Sequence, residues 1–346
     1  MPGWMARRLL GIVLAGLVAS LLVCMLTRLI PGDPIVVLLK NPTPELVARL
    51  RSELGLDRPW YEQYAAYLGG IVTGGDFGRS LVSGRDVADD LRRVWPATLE
   101  LACGAMVVAT GLGVCLGSWA ARRAGSRFDT FWTVVSLGGV SIPVFWLGLM
   151  LLVLFTFRLQ WLPTGGRLAP ETAYEPVTGL VLLDAVITRR GALLADGLRH
   201  LLLPTLTLAT IPAAFIARIT RSAVIESLHQ PYIVAAQAKG VEPRHLLYRH
   251  ALRPALIPIV TMVGLEFSYL LGGAVLTETV FAWPGVGRYV TDAVLARDYP
   301  AVQGALFVLI IGVMAVQLAV DLVYARVNPR VQALLSAPGG GGPARG

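Results

Sequence analysis

The sequence predicts an all-α integral membrane protein with six transmembrane helices. Both termini are expected in the cytoplasm, and a helical extracytoplasmic segment is expected between the first and second helices. Three observations predict this. Over 346 residues, 55% are hydrophobic and 15% charged, and a mean hydropathy of +0.64 leaves too little polar surface to cover a soluble globule. Six nearly uncharged runs stand out, most of them close to the roughly 20 residues that span about 30 Å of hydrocarbon as a helix. Arginine and lysine gather in alternate short connections, as the retention of positive charge on the cytoplasmic side requires.

The first run, 9–27, follows Arg7 and Arg8 and lacks a small-residue cleavage site, so it reads as a signal anchor that stays. Together with its flanks it forms segment 1–30. Segment 31–96 is extracytoplasmic. Within it, 43–55 reads as a capped amphipathic helix with Leu46, Leu50 and Leu54 on one face, and 59–68 as an interfacial helix carrying Trp60, Tyr64 and Tyr67. The remaining spans, 101–121, 130–157, 201–217, 255–277 and 299–320, belong to a five-helix core over 97–330. The run at 201–217 is the weakest, because it contains Pro204 and Pro212. Arg122, Arg123 and Arg127 place the loop between spans two and three inside, which puts 159–198 outside and 218–254 inside. The tail 331–346, with its run of glycines, is expected to be disordered.

Several function classes drop out. The two lysines, Lys40 and Lys239, sit in no GxxxxGK[ST] frame, so the chain holds no P-loop for ATP. His245 and His250 stand five residues apart and no HExxH occurs, which argues against zinc and any other metal site. Cys24, Cys103 and Cys115 fall inside spans without CxxC spacing and read as small buried hydrophobes. Asp76, Phe77 and Gly78 repeat a kinase triplet without the rest of the kinase motifs. The net charge of +8 fits topology and anionic lipid, with no nucleic-acid module in view. Glu266 is the one clear ionisable residue expected at mid-bilayer. It is either a hydrogen-bonded glutamate facing the bundle or a residue lining a path.

The interval 218–254 is small, basic and proline-punctuated. Pro231 suits the first position of a helix and Gly240 the position just past its end, which predicts a helix of roughly 13 Å. Ala235 and Ala238 lie one turn apart with Ala236 beside them, leaving one flank nearly bare. Such a flank suits close docking by a partner protein, with lipid contact and simple connection as alternatives, since lipid-bound helices carry bulky apolar residues. A second short helix is expected from Pro243 through Leu246, Leu247 and His250, stopping before Pro254.

At these residues a resemblance enters. The pattern of Tyr232, Ala236, Ala238, Lys239 and Gly240, followed by "HALRPALIP" at 250–258, resembles the cytoplasmic EAA-type loop of ABC importer permeases. More closely, the chain resembles the first membrane subunit of the dipeptide/oligopeptide/nickel permease family. The likeness runs through "PGDP" at 31–34, "ELGLDRPWYEQY" at 53–64, "GDFGRS" at 75–80, "SIPVFWLGL" at 141–149, "WLPTGG" at 161–166, "ETVFAWPGVG" at 278–287, "RDYPAVQG" at 297–304 and "NPR" at 328–330. It implies a multi-pass permease of the bacterial inner membrane that is not itself an enzyme. Its implied partners are a second homologous permease, two ATP-binding subunits that hold ATP and Mg, an extracytoplasmic solute-binding protein, and membrane lipid. This chain would bind no cofactor. Peptides are the implied cargo, with nickel or metal chelates and glutathione as alternatives, and an ion-coupled carrier as a further reading.

The resemblance makes the short helix a coupling helix, with Tyr232, Ala235, Ala236, Ala238, Lys239, Gly240 and Arg244 as its ATPase-coupling residues. Val234 stands where the general pattern has glutamate, and Glu266 stands where glutamine is expected, on the translocation path. Phe281, Trp283, Pro284 and Gly285 are candidates for an outer gate or binding-protein contact.

Overall fold

The structure is a computed structural model that describes residues 3–29, 43–53 and 57–327. The expectations for "PGDP" at 31–34, "NPR" at 328–330, the start of "ELGLDRPWYEQY" at 54–56 and the tail at 331–346 lie outside those residues. Among the described residues the fold is all-α. The chain runs through α1 (Gly3–Leu29), α2 (Pro44–Glu53), α3 (Trp60–Gly74), α4 (Val87–Arg122), α5 (Arg127–Ser141), α6 (Val144–Leu151), α7 (Val181–Ile187), α8 (Gly191–Leu228), α9 (Pro231–Ala238), α10 (Pro243–His245), α11 (Leu252–Gly273), α12 (Val275–Val280), α13 (Val286–Leu295) and α14 (Tyr299–Val327). Extended pairing among them is limited to one bridge, Arg79 with Asp86.

Four helical stretches are long and apolar enough to cross a membrane: Val87–Arg122, Gly191–Leu228, Leu246–Gly272 and Tyr299–Val323. A fifth span exists if the bent pair Arg127–Ser141 and Val144–Arg158 counts as one. The third run, expected as one continuous span, is therefore broken, its halves meeting at 98°. Pro143 is the physical reason. A residue before proline is pushed out of the helical region, and Ile142 is extended at φ −82°, ψ 125°.

Two helices outrun their hydropathy. α4 and α8, of 36 and 38 residues, are roughly 54 and 57 Å long at 1.5 Å per residue, well beyond the hydrocarbon. Hydropathy reads only the part suited to lipid, whereas a helix continues until something stops it. Asp86 precedes α4, and Asp89 and Asp90 occupy its first turn, where negative charge favours the helix start. Pro204 and Pro212 lie inside α8 without ending it, as neighbouring helices permit in a membrane bundle.

α4 and α8 form the centre of the molecule and pack along most of their lengths. Small residues set the approach. A Cβ on Gly113 would lie 2.7 Å from the Ile216 side chain, and one on Gly117 would strike the Ala217 carbonyl and Thr220. Four-residue spacing of small residues is what lets helices meet this closely in lipid. α11 closes on both helices and on α14, and α14 carries α1 on its other side. α3 is tied to α1 by the Tyr64 hydroxyl, 2.9 Å from the Leu17 carbonyl and 2.8 Å from the Ser20 hydroxyl.

Candidate functional site

The first candidate is built on the end of α8. His229 and Gln230 close that helix, and Pro231 opens α9 after an extended Gln230 at φ −72°, ψ 145°. Proline suits the first helical position because its missing N–H has no intrahelical partner there. At the other end the Gly240 N–H donates to the Gln237 carbonyl at 3.0 Å and the Val241 N–H to the Ala236 carbonyl at 3.3 Å. This is the Schellman pattern, and Gly240 supplies the required left-handed residue at φ +80°. The helix has 8 residues and is stopped at both ends by local chemistry.

Its faces are unequal. Ile233 is 3% exposed and joins the main core with Leu246, Leu247 and Ala251. Val234, Ala235, Ala238, Lys239, Gly240 and Arg244 are exposed, and Lys239 and Arg244 make no ion pair among the described residues. Ala236 departs from expectation. It is half-buried and packs against the core beside Ile233, one turn away, so the bare flank consists of Ala235 and Ala238. Tyr232 is 46% exposed, and its hydroxyl lies 3.5 Å from the His250 carbonyl. Pro254, four residues after His250, has no N–H to offer that carbonyl, so Tyr232 braces α9 against the following helix.

The expected stop before Pro254 does not occur. Residues Leu246–Ala251 widen into a π-turn, with the Leu252 N–H reaching the Leu247 carbonyl, and the chain runs on into α11.

On the opposite side of the bundle, the loop around Phe281 is a packed plug. Phe281 and Trp283 are each 1% exposed, and Gly285 is buried. These three are therefore internal, while Pro284 is exposed. The Trp283 indole donates to the Ala97 carbonyl at 2.8 Å, and Phe281 packs on Leu152 and Leu203. At the centre stands Glu278, fully buried, whose carboxylate accepts from the Thr98 hydroxyl at 2.7 Å and the Arg288 N–H at 3.0 Å. Side chains on Gly285 or Gly287 would collide with that carboxylate or crowd it. Burial pushes the Glu278 carboxyl above its usual range, against the pull of the Thr98, Arg288 and Gly287 donors.

Next to the plug, Arg167 pairs with Glu100 at 2.6 Å and lies 5.9 Å from the centroid of the Trp283 ring. The loop before α7 is pinned by Asp184, which accepts from Tyr174, Val177, Thr178 and Gly179. Burial raises its carboxyl, but these bonds, led by Thr178, outweigh burial and bring it down to about 2. Sequence reasoning missed Glu278, Thr98, Glu100 and Arg167. The available signal was a glutamate opening "ETVFAWPGVG" followed by two glycines.

Glu266 is half-buried on α11, with no hydrogen bond or ion pair among the described residues, between exposed Leu265 at 60% and Tyr269 at 62%. Of the cysteines, Cys24 is buried as expected, but Cys103 and Cys115 are exposed on α4.

A family described as binding-protein-dependent transport system inner membrane component matches residues 113–333. The N-terminal region of such membrane components matches 1–102. The chain belongs to that family. It is thus a transport component of the inner membrane and not an enzyme. It is 42% identical over 334 residues to the di/tripeptide transport system permease protein DppB of Pseudomonas aeruginosa strain UCBPP-PA14, covering 96% of this chain and 99% of that protein. The dipeptide permease DppB of Escherichia coli strain K12 is 40% identical, over 94% of this chain and 97% of that protein. The glutathione permease GsiC of Escherichia coli O1:K1 is 36% identical, over 96% and 99%. In this chain the candidate residues lie in two places, an exposed helical peg on one side of the bundle and a buried plug on the other.

Proposed function

We propose that the protein is one of two permease subunits of an ABC importer for dipeptides, driven through α9 by a separate ATPase. The observation that carries this is the two-sided character of α9. Ile233 fixes the helix to the transmembrane core while Ala235, Ala238, Lys239 and Arg244 are left exposed. A short helix with capped ends moves as a unit, so displacement of its outer face is passed to α8 and α11 as levers. Small residues allow close seating in a cleft, and rim charges set its register. The proposed partners are a second homologous permease, two ATP-binding subunits carrying ATP and Mg, and an extracytoplasmic binding protein. This subunit itself binds no cofactor.

α1 supplies the sixth span and both termini face the cytoplasm, a topology supported by the arginine distribution. Glu266 lines the path shared with the second permease. A half-buried carboxylate on a spanning helix, without a partner among the described residues, is too costly to face lipid. Pro284 and the loop around it form the outer contact, with Phe281 and Trp283 as its internal support.

Gly240→Pro tests the coupling role, because proline cannot adopt φ +80° and the helix end would be lost. The variant is expected to reach the membrane but to lose both dipeptide uptake and transport-stimulated ATP hydrolysis. Normal uptake would overturn the assignment. Uptake of glutathione in preference to dipeptides by the reconstituted importer would replace the substrate and leave the coupling intact.

A further inference from the structure

We propose that a cavity between α4, α5 and α8 holds the headgroup of one anionic phospholipid. The cavity has a volume of about 120 Å³ and lies near the C-terminal end of α4, between it, α5 and α8. Leu116 and Ala120 of α4, Trp132 and Ser136 of α5, and Arg218 and Arg221 of α8 line it. Two hydrogen-bond donors there are uncommitted. The Trp132 indole N–H is sealed from solvent without a partner, although buried indoles usually find one. The exposed Arg218 guanidinium lies 5.7 Å from the Phe215 ring centroid and makes no ion pair among the described residues.

Charge at the site favours an anion. Asp129 is 4% exposed, and its carboxylate is fully engaged by Arg221 through bonds of 2.6 and 2.7 Å, which leaves the charge of Arg218 uncompensated. The surroundings favour a lipid over a free anion. Trp119, Phe128 and Trp132 cluster beside the site, with Arg123 5.4 Å from the Trp119 ring and 5.1 Å from Phe128. Such an aromatic and basic belt marks headgroup depth. Beyond it, Phe131, Val134 and Val135 are exposed at 58%, 61% and 42%, an apolar strip for acyl chains. Basic pockets between transmembrane helices hold phosphate headgroups in this way.

The test uses the full-length protein, delipidated in detergent and titrated with phosphatidylglycerol or phosphatidylcholine, with bound lipid counted by native mass spectrometry. One phosphatidylglycerol is expected to be retained in preference to phosphatidylcholine. Arg218→Gln should weaken that preference about fivefold, the effect of one basic group at a membrane surface. Ser136→Trp, which fills the cavity and keeps both arginines, should remove the lipid as well. Arg122→Gln, at an exposed arginine outside the cavity, should leave it bound. Equal retention of the two lipids, or a preference untouched by both cavity variants, overturns the proposal. So does displacement of phosphatidylglycerol by millimolar glycerol 3-phosphate, which would make this a site for soluble phosphate esters. The assay reads lipid class and not sidedness, so its failure would leave the topology and the transport role standing.

Discussion

Glu278 shows how one residue organises a loop. Its carboxylate sits where Thr98 of α4 and the first N–H groups of α13 converge, and the glycines at 285 and 287 leave the space it occupies. Removing one donor from a buried group costs about 1–3 kcal/mol. Thr98→Val should therefore lower the thermal midpoint of the detergent-solubilised protein, as read by fluorescence of the buried tryptophan. The pH dependence has a definite sign. Because the folded-state carboxyl is raised above its unfolded value, its stability contribution is present at low pH and lost as pH rises through the raised value. Asp184 runs the other way: its contribution holds above the unfolded value and fades only as pH falls toward about 2. Above the ordinary carboxyl range, then, Glu278 still titrates and Asp184 does not. Thermal midpoints measured above that range should diverge between the wild type and Glu278→Gln as pH rises, and parallel curves would refute the assignment.

At the scale of elements, α5 and α8 are held at one end by a single ion pair. Asp129 follows the Ser126 cap of α5, and Arg221 lies seven residues before the end of α8. Deleting one member of such a pair strands a buried charge, at a cost of about 3–5 kcal/mol, while deleting both is much milder. Arg221→Ala should thus be more destabilising than Asp129→Ala with Arg221→Ala combined, with a coupling of about 1–3 kcal/mol in a double-mutant cycle. The pair also bears on what could be read in advance. Helix starts at Pro231 and stops at Gly240 were legible, because caps are local chemistry. The break at Ile142 was legible in principle from "SIP", yet the apolar run masked it. The inward turn of Ala236 was not legible, since which side of a short alanine-rich helix faces the core depends on Leu246 and Leu247 arriving from later in the chain.

Among the described residues, one core runs from Leu101 and Ala105 in the membrane bundle to Ile233 in the peg and Leu246 and Ala251 in the turn that follows it. The peg is continuous with the bundle and not an appendage, which is the property a coupling element needs. The proposed sidedness makes a direct prediction. In a cysteine-free background, a cysteine at Arg244 should be labelled by a membrane-impermeant maleimide only in inverted vesicles, and one at Glu175 only in intact cells. The reverse pattern would invert the topology. The sequence by itself determined the helical class, the apolar spans, the caps of α9 and the family motifs, because each depends on residues close together in the chain. Only the tertiary structure decided that Phe281 and Trp283 are internal, that Glu278 is fully buried while Glu266 is not, and that Trp132 and Arg218 share a cavity. Those outcomes join residues tens to hundreds of positions apart, and burial is a property of what packs against a side chain, which hydropathy along the chain does not contain.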